Sequence, residues 1–190
     1  MLIILGFALL VLAGGMVVLF AMFGELSVRV AEQGLVRRST EIRPLDQARL
    51  GHVPASWPPA IGRPGTQEFT LLVLSSACTS CADIATQLTE NPGHADWADM
   101  GVVISTASQE RGEEFVAAHG LGSFPHYIDD GGEWVSGEFD VRFSPSALIL
   151  RDGKLAEGYM FHDVAALRAA LNQRSAAGRR EPEKEAAWTE

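Results

Sequence analysis

The sequence predicts an α/β domain of three layers, with a central mixed β-sheet between helices, preceded by one N-terminal transmembrane helix. Three observations carry this prediction. Residues 2–23 form an uncharged apolar run, short apolar segments alternate with amphipathic ones after residue 66, and an Asp-Gly pair separates two late apolar segments. Alternating strand and helix units place helices over both faces of a sheet.

The run from Leu2 to Phe23 is long enough to cross a bilayer. At about 1.5 Å per residue it spans the roughly 30 Å hydrocarbon layer. A cleaved signal peptide is the alternative, but that class requires a basic start, a shorter apolar run and a small-residue cleavage site. We therefore expect residues 1–24 to be a retained anchor, with residues 2–23 in the lipid bilayer.

The remaining chain divides by composition into three parts. Residues 25–66 predict a juxtamembrane helix followed by a linker, because prolines and glycines accumulate towards its end. Residues 67–173 carry the alternating pattern of the folded domain. Residues 174–190 are charged and poor in large apolar side chains, which predicts a disordered tail.

Hydrophobic periodicity assigns the elements of the domain. Continuous apolar runs predict strands that are buried on both faces. An Asp-Gly turn joins the last two strands, and Asp163 can cap the final helix. In order, we expect strand 69–74, helix 81–90, strand 101–105, a weaker helix 108–119, strand 147–150, strand 155–161 and a helix after Asp163.

Charge and cysteine content exclude two classes of protein. The formal net charge is -9 and no block of basic residues interleaved with aromatics is present, so nucleic acid is a poor candidate partner. Two cysteines cannot form a scaffold of several disulfides.

The two cysteines form the motif Cys78-Thr79-Ser80-Cys81, between a predicted strand and a predicted helix. Thiol–disulfide exchange needs one accessible thiolate and a second thiol that resolves the mixed disulfide. Cys78 lies at the predicted helix start, where unpaired N–H groups stabilise a thiolate. Cys81 falls one turn later on the apolar face. We expect Cys78 to attack and Cys81 to resolve.

Two other readings of the motif stay open. A purely structural disulfide would stabilise little, because it closes a very short loop. Half of a metal site would need two further ligands, and the five histidines form no closely spaced pair. We expect no metal and no cofactor.

Pro145 lies two positions before the predicted strand 147–150. Because proline lacks the ladder N–H, this position suits an edge, a bulge or a strand start. A cis Ser144–Pro145 bond is plausible there, although an ordinary trans loop proline is the usual outcome.

Together these features resemble the thioredoxin superfamily, in which a CxxC motif opens a long helix and a cis-proline loop faces it. The resemblance covers roughly residues 67–173 and implies a thioredoxin-like fold. It also implies that Cys78, Cys81 and Pro145 are catalytic, and that Ser144, Thr79 and Ser80 contact the substrate. The long separation between Cys78 and Pro145 is similar to that of membrane-attached TlpA/ResA-like redoxins, and the layout with an anchor resembles MauD most.

The motif also departs from thioredoxin. Thioredoxins carry Trp before the first cysteine and Gly-Pro between the two, where this chain has Ala77, Thr79 and Ser80. The buried acid of thioredoxins would fall near Leu72. A broad substrate range is therefore not expected.

The expected function is thiol–disulfide exchange between the Cys78–Cys81 pair and protein clients that bear cysteines or disulfides, with an upstream redox partner. The resemblance to MauD adds maturation of an exported redox protein. A docking module with little redox turnover is one alternative. A metallochaperone is another, disfavoured because membrane-anchored copper chaperones have three residues between their cysteines.

Two arguments give opposite predictions for the side of the membrane on which the folded domain lies. Arg29, Arg37, Arg38 and Arg43 follow the anchor, and the positive-inside rule would then place the domain in the cytoplasm. The resembling families place theirs outside, where soluble cytosolic reductants do not reach. We expect a single-pass protein of the cell membrane with an extracytoplasmic domain.

Overall fold

The computed structural model describes Met16 and residues 42–62, 68–90 and 99–174. The predicted anchor lies outside these residues, apart from Met16, and so does the tail after residue 174. Within the described ranges, no helix combines the length and the apolar character needed to cross a membrane. The membrane anchor and the disordered tail stay predictions.

Within the described ranges, six strands form one mixed sheet. The elements are β1 (Arg43–Pro44), a 3-10 helix (Pro59–Ile61), β2 (Phe69–Ser75), α1 (Thr79–Glu90), β3 (Met100–Thr106), α2 (Gln109–Ala118), a 3-10 turn (Leu121–Ser123), β4 (His126–Asp130), α3 (Glu133–Phe139), β5 (Ser146–Arg151), β6 (Lys154–Met160) and α4 (residues 164–174). The strand order is β1-β6-β5-β2-β3-β4. The strands β2, β3 and β4 are parallel, whereas β5, β6 and β1 pair antiparallel.

Strand β2 lies in the middle of the sheet, between β3 and β5. Leu72 and Leu74 pack on the face that α1, α2 and α4 cover, while Leu71 and Val73 pack on the opposite face. All four side chains are buried, and burying one such side chain stabilises the fold by about 2 kcal/mol. The predicted strand with two buried faces is confirmed.

Local signals fix the ends of several elements as predicted. The Asp163 carboxylate accepts a hydrogen bond from the N–H of Ala166 (2.8 Å) at the start of α4. The hydroxyl of Ser108 caps α2. Asp152 and Gly153 both have positive φ, 52° and 73°, as the hairpin between β5 and β6 requires.

Residues 42–62, called here the N-terminal segment, begin at the sheet edge with β1 and then pack apolar side chains against the face of the sheet opposite α1. Leu45 and Ile61 are buried there. The backbone N–H of Gly51 donates to Leu155 (2.7 Å), and the N–H of Leu155 donates to His52 (2.9 Å). From the sequence, these residues were expected to belong to the linker region 25–66 because of their prolines. The apolar side chains among those prolines, which cover the sheet, were not recognised as part of the core. The structure extends the packed unit to residues before Gln67.

Two elements between β3 and β5 were not predicted, namely β4 and α3. The buried carboxylate of Asp129, at the end of β4, accepts the N–H groups of Trp134 and Val135 (3.0 Å each) and so caps α3. Val135 and Phe139 then bury against the sheet. Part of the long separation between Cys78 and Pro145 is therefore a strand at the sheet edge and a short helix that covers one face.

Glu138 on α3 holds the N-terminal segment in place. Its carboxylate accepts hydrogen bonds from the N–H of Ala55 (2.8 Å), from both the N–H and the hydroxyl of Ser56 (3.0 and 2.9 Å), and pairs with His52 (3.2 Å). Burial alone would raise the pKa of Glu138, but these hydrogen bonds outweigh it and lower the pKa to about 2. The ionised carboxylate therefore stabilises the packed arrangement.

Replacing Glu138 by Gln should lower the free energy of unfolding at neutral pH by about 2 kcal/mol, because charge-assisted bonds to the N-terminal segment are weakened. The folded pKa lies below the ordinary value of 4.5. This contribution is therefore fully present above about pH 4.5 and is lost as the pH falls through about 2. Urea unfolding at several pH values should show the difference between wild type and E138Q shrink on acidification.

Glu133 provides the matched control. It lies on the same helix and is exposed. E133Q removes the same charge and should change stability by only a few tenths of a kcal/mol. Equal losses in E133Q and E138Q would show that the net charge of the helix, and not the contact with the N-terminal segment, is responsible.

Candidate functional site

Cys78 is presented at the junction of β2 and α1. It directly precedes the first helical residue, and its backbone carbonyl accepts the N–H groups of Cys81 and Ala82 (3.1 and 3.2 Å). Its Sγ also accepts a hydrogen bond from the N–H of Cys81 (3.4 Å). A sulfur at this position lies beside the unpaired N–H donors of the first turn, at the positive end of the helix dipole.

Cys81 lies one turn into the helix and is fully buried. Leu72 and Ile84 belong to the same buried cluster. Burial, together with the neighbouring sulfur of Cys78, raises the pKa of the Cys81 thiol to about 12. Both thiols are free, and Cys78 is partly exposed. The geometry matches an attacking Cys78 and a shielded Cys81, the roles expected from the sequence.

The cluster around Cys81 is apolar on the β2 side. Leu72 lies near the position where thioredoxins carry their buried acid, and the structure places this leucine, fully buried, in the cluster that contains Cys81. No carboxylate of β2 is therefore available to take the proton of Cys81, since Phe69–Ser75 contains none.

The loop before β5 faces Cys78. The Ser144–Pro145 peptide bond is cis, as expected. The Sγ of Cys78 donates a long hydrogen bond to the carbonyl oxygen of Ser144 (3.8 Å). Pro145 is buried, whereas Phe143 is 49% exposed. The structure thus brings together Cys78, Cys81 and the loop of Ser144 and Pro145, which are 66 and 67 positions after Cys78 in the chain.

The same loop presents polar backbone beside the thiol. Among the hydrogen bonds of the described residues, none has the N–H of Phe143 or of Ser144 as its donor. The carbonyl oxygen of Phe143 accepts the hydroxyl of Ser146 instead. An extended peptide that reaches Cys78 can therefore pair with this backbone.

The other residues that were predicted to contact the substrate are connected to the site by their position in the chain. Thr79 and Ser80 are exposed on the first turn of α1, beside Cys78 in the chain. Tyr127 and Trp134, which lie between β3 and the loop of Pro145 in the chain, stack edge to face at 5.7 Å and pack on the sheet. They cover the core.

Sequence reasoning did not single out Arg142 as a site residue, although it lies three positions before Pro145. Its side chain is 76% exposed. The sequence feature that could have identified Arg142 is its position in the loop that was already expected to face Cys78. Across residues 42–62, 68–90 and 99–174, no cluster of three or more histidine, cysteine or acidic side chains is arranged to hold a metal ion.

A CxxC motif that opens a helix after a central parallel strand, with a cis-proline loop opposite, defines the thioredoxin-like fold. Comparison with solved structures agrees. A candidate thiol:disulfide interchange protein DsbE from Chlorobium tepidum matches with a TM-score of 0.50 and 18% identity, over 67% of this chain and 96% of that chain. At this identity the likeness shows the fold alone, and the chain has the thioredoxin-like fold.

Two further structures match at lower scores. A secreted disulfide oxidoreductase from Mycobacterium tuberculosis has a TM-score of 0.46 and 16% identity, over 67% of this chain and 94% of that chain. StoA from Bacillus subtilis has a TM-score of 0.45 and 17% identity, over 67% of this chain and 96% of that chain. No protein-family model matches the sequence, and no curated protein is significantly similar to it.

Limiting iodoacetamide should alkylate Cys78 of the reduced, folded protein and leave Cys81 unmodified at neutral pH. Cys78 is partly exposed at the helix start, whereas Cys81 is buried and its raised pKa keeps it a thiol. Peptide mass spectrometry identifies the modified residue. In urea the two cysteines should react alike. Preferential labelling of Cys81 in the folded protein would reverse the assignment of roles.

Proposed function

We propose that this protein is a membrane-tethered thiol–disulfide oxidoreductase that exchanges the Cys78–Cys81 disulfide with protein clients. The observation that carries the proposal is the pairing of a partly exposed sulfur at a helix N-terminus with a buried thiol one turn later. A structural disulfide does not require this difference in exposure. The names of the matched structures, which include disulfide oxidoreductases, are consistent with this activity.

The exchange proceeds in two steps. The Cys78 thiolate attacks one sulfur of a client disulfide, that S–S bond breaks, and the other client sulfur leaves as a thiolate. Cys81 then loses its proton and attacks the Cys78 sulfur, which releases the second client thiolate and closes the Cys78–Cys81 disulfide. Two electrons pass from the protein to the client. The reverse sequence oxidises a client dithiol.

The loop before Pro145 would position the client. The Ser144 carbonyl lies against the Cys78 sulfur, and the adjacent N–H groups can pair with an extended segment. Thr79 and Ser80 would form the opposite side of the contact, since they are exposed next to Cys78. An upstream redox partner would restore the protein after each turnover.

Replacing Cys81 by Ser should trap clients as stable mixed disulfides on Cys78, because the second step is then blocked. Non-reducing electrophoresis of cell extracts, followed by mass spectrometry, measures the trapped species. The matched control is C78S, which should trap none. If C78S cells mature the client normally and still bind it, the domain is a docking module and not an exchange enzyme.

A finer part of the proposal concerns location. Residues 2–23 would anchor the protein in the cell membrane, with the domain outside the cytoplasm and a client among exported redox proteins, as the resemblance to MauD implies. The positive-inside rule predicts instead that the domain lies in the cytoplasm.

A membrane-impermeant maleimide added to intact cells after mild reduction should label Cys78 if the domain is extracytoplasmic. A cytosolic protein with an exposed thiol serves as the control and should be labelled only after lysis. Labelling of Cys78 only after lysis would place the domain in the cytoplasm, as the arginines after the anchor predict.

A further inference from the structure

A cavity of about 440 Å³ opens beside the loop that faces Cys78. It lies where β2, β3 and β4 end, at the carboxyl edge of the parallel part of the sheet, and this is where open α/β sheets commonly bind ligands. Val73, Ser105 and Gly132 contribute to its walls from these strand ends, and Arg142 and Ser144 close it from the loop.

Ser144 connects this cavity to the redox site. The residue lines the cavity, and its carbonyl oxygen lies 3.8 Å from the Cys78 sulfur. A client joined to Cys78 through a mixed disulfide and paired with the loop therefore places a neighbouring residue at the cavity mouth. The alternation of side chains along an extended segment directs some of them inward.

The cavity is kept open by its backbone. Gly132 has a φ of 68°, and a Cβ at this position would lie 2.7 Å from the hydroxyl of Ser105. A side chain would therefore be strained and would clash. None of the hydrogen bonds between described residues has the Ser105 hydroxyl as its donor or acceptor. This hydroxyl is therefore available to a molecule that occupies the cavity. Val73 and Val135 supply apolar wall beside it.

Arg142 is the one charged residue among those that line this cavity in the described part of the chain. Its nearest ionic partner is Asp140, at 3.9 Å from the Nε atom, and its side chain is 76% exposed. An exposed pair at this distance holds neither side chain firmly. The guanidinium can therefore turn to a carboxylate that enters the cavity mouth, where it would also make the more favourable charge-assisted hydrogen bonds.

We propose that this cavity is a client subsite and that Arg142 selects clients with an acidic residue within two positions of the reactive cysteine. The acidic side chain would place its apolar stem against Val135 and its carboxylate between Arg142 and the Ser105 hydroxyl. The inference rests on the proposed exchange function. It adds a substrate class, namely clients with an acidic residue near the reactive cysteine. Arg142 would select them by charge, even though the protein as a whole has a net negative charge.

Synthetic peptides test this selection. Each carries one cysteine as a disulfide with 2-thiopyridine and has Glu, Gln or Lys at one of the two positions before or after it. The Cys78 thiolate attacks the peptide sulfur, 2-thiopyridone leaves, and Cys81 then releases the peptide thiol and closes the protein disulfide. Absorbance of the released thiopyridone gives the second-order rate constant for the full-length, reduced protein.

The Glu peptide should react about fivefold faster than the Lys peptide at one of these positions, with the Gln peptide between them. In R142E the order should reverse. The matched control is R111E, which carries the same charge change but lines a different cavity, next to Ala77. R111E should keep the wild-type order, and high salt should reduce the preference.

Failure of this inference differs from failure of the proposed function. If the Gln peptide reacts with Cys78 and R142E leaves the ratio of Glu to Lys rates unchanged, the exchange function stands and the subsite does not. An equal shift in R111E would show a general field effect and would also overturn the subsite. If no peptide reacts faster with the protein than with free cysteine, the exchange function itself fails.

Discussion

The burial of β2 on both faces is the constraint on which the rest of the structure depends. Because Leu71–Leu74 are covered by helices on one side and by the N-terminal segment and α3 on the other, the strand has one register and one end point. That end point delivers Cys78 to the first turn of α1 and sets Cys81 against Leu72. It also brings β5 alongside, and the loop before β5 then meets the Cys78 sulfur. A shift of one residue in β2 would invert its faces and remove the site.

The sequence predicted the parts of this arrangement that depend on local chemistry. The continuous apolar run of β2, the helix start at the CxxC motif, the hairpin at Asp152 and Gly153 and the cap at Asp163 each have a short-range cause. The structure shows all four. The cis bond before Pro145 could be expected only through the resemblance to thioredoxins, because the local sequence by itself favours a trans bond.

The parts that the sequence did not reveal depend on distant contacts. The N-terminal segment has the proline content of a linker. Its pairing with β6, the burial of Leu45 and Ile61 and its bonds to Glu138, more than eighty positions away, make it part of the packed unit. The helix α3 is short and contains Gly137, and its start depends on the carboxylate of Asp129 in the preceding strand. The cavity beside Arg142 is formed by β2, β3, the turn after β4, α3 and the loop before β5, and no single sequence pattern contains all of these.

One outer edge of the sheet is a two-residue strand, β1, formed by Arg43 and Pro44. An open sheet edge tends to recruit other extended chains, and proline and charged residues discourage this. Pro44 has no N–H to donate and Arg43 is charged, so this side of the molecule is a poor partner for aggregation. The proposed exchange function would bring extended client segments to the protein. Such segments would find unpaired backbone at the loop beside Cys78, and little at β1 on which a fibre or a dimer could grow.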